Sequence, residues 1–109
     1  KVIHLSALGT AYNQMGDYPR AAASFAKVLA KDGVNSYALL HGAIAQAGVG
    51  ANGEAVKMLR RGMILAIARG DPSAATRALN ILRAMDLAEL MPEAELDVLE
   101  SKIKALKVS

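Results

Sequence analysis

The chain has 109 residues, which is enough for one domain with a core of its own. Just over half of the residues are hydrophobic, but only 4% are aromatic and none is Trp, so small and aliphatic side chains must fill the core. Ala and Leu favour helices, and the composition therefore predicts an all-α domain. The absence of Cys excludes a disulfide framework and thiolate chemistry.

The net charge of +3 is unevenly distributed, because residues 1–84 carry +6 and residues 85–109 carry −3. The basic body weakly indicates an acidic partner. The uncharged stretch 33–53 approaches the length of a membrane span, but its five glycines and its polar side chains would be costly in hydrocarbon. We therefore expect no membrane span. The compartment stays open, with a soluble, cytoplasmic location favoured. A start at Lys1 rather than Met indicates a piece of a longer protein.

The first predicted pair of helices is marked by apolar spacing and by turn residues. Leu5, Leu8 and Tyr12 recur at three- and four-residue steps, which places them on one face of a helix. Gly16-Asp17 ends that helix. A second helix follows at once, with a proline near its first turn, where the missing N–H costs nothing.

A second pair of helices is predicted to follow. Asn35 or Ser36 caps a third helix that runs to about Gln46. The glycine-rich segment 48–53 predicts a turn, with Asn52 as the cap of the fourth helix.

The third pair has the clearest start signal. Asp71 is predicted to cap the fifth helix and Pro72 to be its first residue. The sixth helix, residues 92–107, has a narrow apolar stripe and charges elsewhere, which suits an end cap whose outer face meets water. Glu100 and Lys104 have the order of a stabilising i,i+4 ion pair within it.

The first 35 residues carry a longer pattern, which reads Leu5-x2-Leu8-Gly9-x2-Tyr12, then Gly16-Asp17-Tyr18, then Ala21-x3-Phe25, and closes with Gly33. This pattern resembles a tetratricopeptide repeat, a helix–turn–helix unit of about 34 residues. Weaker copies follow, since Gly42 lies 33 residues after Gly9. The resemblance implies one domain over residues 1–109, built as a right-handed stack of three antiparallel helical hairpins. The repeats would cover about residues 2–35, 36–70 and 72–107.

Repeats of this family bind other proteins and are rarely enzymes. The resemblance therefore implies a non-catalytic protein-interaction scaffold, without cofactor or metal, whose partner is a protein or peptide. By analogy at the level of fold, the resemblance leaves room for a chaperone-like bacterial assembly or secretion factor. The first helix of each hairpin would line a concave groove. A neutral, partly apolar groove favours an amphipathic helix or an extended segment over a carboxylate clamp. The resemblance assigns to this groove Ile3, Ser6, Thr10, Asn13, Gln14, Ser36, Leu39, Ala43, Gln46, Ala47, Thr76, Asn80 and Arg83.

One alternative is a nucleotide-binding enzyme fragment. Residues Gly48–Gly53 spell G-x-G-x-x-G ahead of a helix, and Asp71 follows at about the distance of a ribose-binding acid. That fingerprint requires a preceding strand, whereas the segment before it is rich in Ala and Leu. The turn reading is therefore favoured.

Three further alternatives concern nucleic acid, a metal ion and a second copy of the chain. Lys57, Arg60 and Arg61 share one side of the fourth helix, but no aromatic residues nearby could stack on bases, so a solvated face is favoured over nucleic-acid binding. His4 and His41 have no second ligand at metal-binding spacing. A self-association module that forms a homo-oligomer through exposed apolar faces also stays open.

Overall fold

The structure, a computed structural model, describes residues 2–108, with side chains from His4 onward. This part of the chain is entirely helical and contains no strand, which confirms the all-α prediction. None of its helices is long and apolar enough to cross a bilayer. The elements are α1 (Val2–Gln14), α2 (Tyr18–Lys31), α3 (Ser36–Gly48), α4 (Asn52–Ala68), α5 (Pro72–Ala84), a 3₁₀ turn (Ala88–Leu90) and α6 (Glu93–Lys107).

Three helices begin at side-chain caps. The carboxylate of Asp17 accepts from the backbone N–H of Arg20 at the start of α2. The Asn35 side chain accepts from Ala38 N at 2.9 Å in α3, and Asp71 caps α5 in the same way. The predicted cap of α5 is confirmed, and Asn35 rather than Ser36 caps α3.

The start of α4 differs from the prediction. Asn52 is already the first residue of α4, and the cap position belongs to Ala51, which has no side chain to accept a hydrogen bond. The turn fixes this start: Gly50 has a left-handed φ of +83°, and Ala51 N–H donates to the carbonyl of Gln46 at 2.8 Å. The prediction that Asn52 caps α4 is therefore wrong.

The turn before α4 is one of three with the same construction. In each, a glycine with a left-handed φ is followed by a residue whose N–H donates, at 2.8 Å, to the carbonyl five positions earlier. Glycine adopts this φ without the steric cost that a Cβ brings. The glycines are Gly16, Gly50 and Gly70, and the residues that follow them are Asp17, Ala51 and Asp71.

Helices that follow one another in the chain pack together, and the short loops between them turn the chain back on itself. In addition, α1 contacts α3 and α3 contacts α5, while α6 packs against both α4 and α5. Two ion pairs hold α6 in place, Arg60 with Glu95 and Arg83 with Glu100. Glu100 therefore pairs across helices and not with Lys104, because its carboxylate is directed toward α5.

The apolar interior is divided into two clusters that share α3. The smaller cluster joins α2 to one flank of α3, around Phe25 and Ala38. The larger one begins at Leu39 and Leu40 on the other flank and extends through α4 and α5 to α6. Leu29 packs against both clusters and is the apolar link between them.

Gly9 and Gly42 each allow a neighbouring helix to approach closely. A Cβ on Gly9 would lie 2.7 Å from the ring of Phe25, which is fully buried. A Cβ on Gly42 would lie 2.6 Å from the end of the Met58 side chain and 3.2 Å from Cβ of Phe25. Both glycines belong to the repeat pattern read from the sequence, and their role is to admit a neighbouring helix.

Candidate interaction surface

One side of α3 remains open to solvent between α1 and α5. Its members follow helical spacing, with Tyr37 exposed and His41 and Ile44 half-buried, whereas Gly48, one turn further along, lies against the ring of Tyr18. On the α1 side, the neighbours of these residues are Thr10 and Asn13. On the α5 side, Arg77 lies close enough to His41 to influence its protonation. We call the surface formed by Thr10, Asn13, Tyr37, His41 and Arg77 the first-helix surface.

Tyr37 is the central aromatic residue of the first-helix surface. Its side chain is exposed, with 42% of its area accessible, yet its position is fixed on several sides. The ring stacks on that of His41 at 4.1 Å between centroids and lies 6.2 Å from the ring of Phe25. Its hydroxyl forms a hydrogen bond with the hydroxyl of Thr10, which also donates to the carbonyl of Ser6 at 3.0 Å.

His41 joins the first-helix surface to the interior. Asn13 Nδ2 donates to the backbone carbonyl of His41 at 3.1 Å, which ties α1 to α3. Burial of the half-buried ring lowers the pKa of His41 below its ordinary value of 6.5, and the positive charge of Arg77 lowers it further. Near neutral pH the imidazole is therefore uncharged, and it presents an aromatic face with hydrogen-bonding nitrogens.

The residues of α1 that the sequence assigned to a groove lie mostly beside α3. Ser6, Thr10 and Asn13 are half-buried, and the last two form hydrogen bonds to α3 as described. Gln14 is exposed at the end of α1. The side chain of Ile3 lies outside the described residues.

On α3 the assigned residues do not form one exposed face. Leu39 and Ala43 are buried in the larger cluster, at 3% and 0% exposure, so they are not part of the exposed side of α3. Ala47 also packs against that cluster. Ser36 accepts a hydrogen bond from Arg69 Nη1 at 3.0 Å, at the end of α4.

Tyr37 and His41 occupy the exposed side of α3 instead. The expected groove residues follow from matching Gly42 of α3 with Gly9 of α1, and in the structure this face of α3 is directed toward α4. The spacing of Tyr37, His41 and Ile44 was the available sequence signal. This spacing does not stand out in the sequence, because apolar residues occur on nearly all sides of α3.

The residues assigned to α5 are dispersed. Thr76 is half-buried and Asn80 is exposed, and the two line a shallow depression of about 400 Å³ that also contains Arg77. Arg83 is exposed but forms the ion pair with Glu100 that holds α6.

A cleft of about 500 Å³ lies on the other side of α3. Its walls are α2 and α4, and its floor is formed by Leu39, Gly42 and Gln46. At about 100° per residue these three positions lie nearly opposite Tyr37 and His41 on the helix. We call this feature the α2–α4 cleft; it is lined by Ala22, Ala26, Leu29, Ala30, Gly33, Leu39, Gly42, Gln46, Glu54, Lys57, Met58 and Arg61.

The glycine-rich segment 48–53 does not have the surroundings of a dinucleotide fingerprint. The segment before it is α3, a helix, and residues 2–108 contain no strand that could form a βαβ unit. The basic side chains of α4 also point to different neighbours: Arg60 pairs with Glu95, and Arg69 reaches the start of α3. Among the described residues, no group of three or more His, Asp or Glu side chains is placed to hold a metal ion.

No protein-family model, no curated protein and no solved structure matches this chain.

Proposed function

We propose that this protein is a non-catalytic interaction module of the tetratricopeptide-like kind, which binds a segment of a partner protein on the first-helix surface. The observation that carries the proposal is Tyr37, an exposed aromatic side chain held in one orientation by His41 and Thr10. Tyrosine is enriched among the residues that contribute most to protein interfaces. A ring that is already fixed loses little side-chain entropy when a partner covers it.

The arrangement of alternate helices supports the proposal. Because α1 contacts α3 and α3 contacts α5, their open sides adjoin and offer one continuous surface to a partner. A stack of helical hairpins with this connectivity presents its first helices together. The surface carries hydroxyl, amide and imidazole groups around the Tyr37 ring and one cation, Arg77. This chemistry suits an apolar side chain flanked by backbone or neutral polar groups.

The partner would be an amphipathic helix or an extended segment. An apolar side chain of such a segment would pack on Tyr37, and its polar groups would meet the side chains of Thr10 and His41. A chaperone-like role toward a bacterial export substrate is one biological setting for such a surface, by analogy at the level of fold.

The proposal is tested by capture of partners from the source cells with the wild type, Tyr37→Glu and Arg77→Glu. The matched control is Val98→Glu, which adds the same charge at an exposed apolar residue of α6. Arg77 is exposed and packs in neither core cluster, so Arg77→Glu tests the surface independently of any loss of packing at position 37. Circular dichroism verifies that all variants keep the same helix content.

We expect the wild type and Val98→Glu to capture the same protein, and the two surface variants to lose it. Retention of that protein by both surface variants would refute the proposal. A wild-type chain whose mass in light scattering rises with concentration, and whose association is lost in Val98→Glu, would favour the self-association alternative instead.

A further inference from the structure

The α2–α4 cleft is a second feature with the character of a binding site. Its volume of about 500 Å³ falls within the range of about 300–1,000 Å³ that is typical of ligand pockets. Alanines at positions 22, 26 and 30 face it from α2, which explains why the two walls stand apart. Leu29, Leu39 and Met58 make the interior largely apolar.

The rim of the cleft carries two cations without partners. Lys57 and Arg61 lie about one turn of α4 apart, and neither forms an ion pair with any residue in the described range 4–108. The nearby Arg60, in contrast, is paired with Glu95. Arg61 Nη2 lies 3.7 Å from the position that a Cβ on Gly33 would take, so the guanidinium reaches across the end of the cleft toward α2.

The charges on the rim of the cleft therefore change from negative to positive along its length. Glu54 lies toward the start of α4 and Arg61 toward its middle, with Lys57 between them. The seven steps along the chain from Glu54 to Arg61 correspond to a distance of about 10 Å along the helix. A ligand that complements this order is apolar where it enters the cleft and carries carboxylates near Lys57 and Arg61.

We propose that the α2–α4 cleft is a second docking site, and that it takes an acidic amphipathic segment of a partner protein. Apolar side chains of the segment enter the cleft, and its carboxylates pair with Lys57 and Arg61. Charge complementarity is the reason for this choice of occupant, because neither rim cation forms an ion pair within residues 4–108 and residues 1–84 carry a net charge of +6. The cleft lies on the opposite side of α3 from Tyr37, so both sites could be occupied together.

The probes are two amphipathic peptides that carry leucines along one face, one with glutamates and the other with lysines on the remaining faces. Binding is followed by nuclear magnetic resonance on the isotopically labelled chain. We expect the glutamate peptide to shift the backbone signals of Ala26, Gly42 and Arg61, and the lysine peptide to leave them unchanged. Equal binding of the two peptides, or binding of neither, would overturn the proposal.

Single substitutions locate the site and test the contribution of each rim charge to the affinity. Ala26→Leu fills the cleft from an exposed position of α2 and should weaken binding by about tenfold or more. Arg61→Gln should weaken it about two- to fivefold, and Glu54→Gln should strengthen it by a similar factor, which are the magnitudes of exposed ion pairs. Lys104→Gln removes an exposed charge of α6 and serves as the control that leaves the affinity unchanged.

Other occupants would give different results. If Tyr37→Glu abolishes binding of the glutamate peptide while Ala26→Leu has no effect, the peptide occupies the first-helix surface and the second site is refuted. If the chain alone forms larger species that Ala26→Leu disperses, the occupant is a second copy of this chain, and the partner proposed here is wrong.

Discussion

Ala51 occupies the same place before α4 that Asp17 occupies before α2. Both follow a glycine with a left-handed φ, both donate their N–H to the carbonyl five residues earlier at 2.8 Å, and their backbone angles are similar. At Asp17 the φ and ψ angles are −88° and 70°, and at Ala51 they are −85° and 62°. The aspartate accepts a hydrogen bond from the helix that it precedes, whereas the alanine leaves the first N–H groups of α4 without a side-chain acceptor.

Ala51→Asp should therefore stabilise the fold. A carboxylate in this geometry can accept from the first turn of α4 and interacts favourably with the positive end of the helix dipole. We expect the free energy of unfolding to rise by about 0.5–2 kcal/mol. The measurement is urea unfolding followed by circular dichroism.

Two control variants accompany Ala51→Asp. Asp71→Ala removes an existing cap and should lower stability by a similar amount. Asn52→Ala should have little effect, because the Asn52 side chain makes no cap bond. A large loss with Asn52→Ala would show that α4 begins elsewhere.

Gly9→Ala should destabilise the protein although alanine is the better helix former. The new Cβ would lie 2.7 Å from the ring of Phe25, which is fully buried and cannot move freely. Overpacking of this kind costs about 1–3 kcal/mol, against a gain in helix propensity of about 1 kcal/mol. We expect a lower midpoint of thermal unfolding.

Gly53→Ala is the matched control for that substitution. Gly53 also lies within a helix, but no atom is near the position of its Cβ and its φ is not left-handed. Here the gain in propensity is unopposed, and we expect a stabilisation of about 0.4–1 kcal/mol. Equal effects at both glycines would contradict the close approach of α1 and α2.

His41 should make stability depend on pH in a defined direction. Its pKa is lowered in the folded state, so the unfolded chain binds more protons as the pH falls below 6.5. Stability is therefore highest above 6.5 and declines as the pH drops from there toward the folded pKa. Urea unfolding on both sides of pH 6.5 measures this decline, and His41→Gln should reduce it.

Arg77→Gln separates the two causes of the lowered pKa. Burial is the larger cause and the Arg77 charge the smaller. The titration midpoint of His41, followed by nuclear magnetic resonance, should therefore rise in the variant but stay below 6.5. An unchanged midpoint would mean that Arg77 lies too far away to act on the first-helix surface.

Much of the helical framework could be predicted from the sequence because its signals are local. Asp71 and Pro72 mark the start of α5 with a cap and a residue that tolerates the first turn, and the structure has both in those roles. Pro19 lies in the first turn of α2, as expected. The exception, Asn52, shows the limit of such signals: the residue type suits a cap, but the turn geometry placed Ala51 there.

The candidate surface was harder to predict because α3 has no polar stripe. Ala, Leu and Gly occur on all sides of α3, so the hydrophobic periodicity does not show which side faces α1. Matching Gly42 with Gly9 points to a face that contains Leu39 and Ala43, which are buried in the structure. The true orientation depends on side chains from other helices, namely Phe25 beneath Tyr37 and Thr10 beside it. Contacts of this kind are encoded by residues far apart in the chain.

The division of the interior into two clusters means that the molecule need not open as one unit. The smaller cluster supplies the apolar contacts of α1 and of most of α2, so we expect their amides to exchange with solvent faster than those of α4 and α5. Hydrogen exchange followed by mass spectrometry would show this difference, and uniform protection would contradict it. A partner segment that contacts both Thr10 and Tyr37 would then stabilise the packing of α1 against α3. Binding at the first-helix surface should therefore slow the hydrogen exchange of α1.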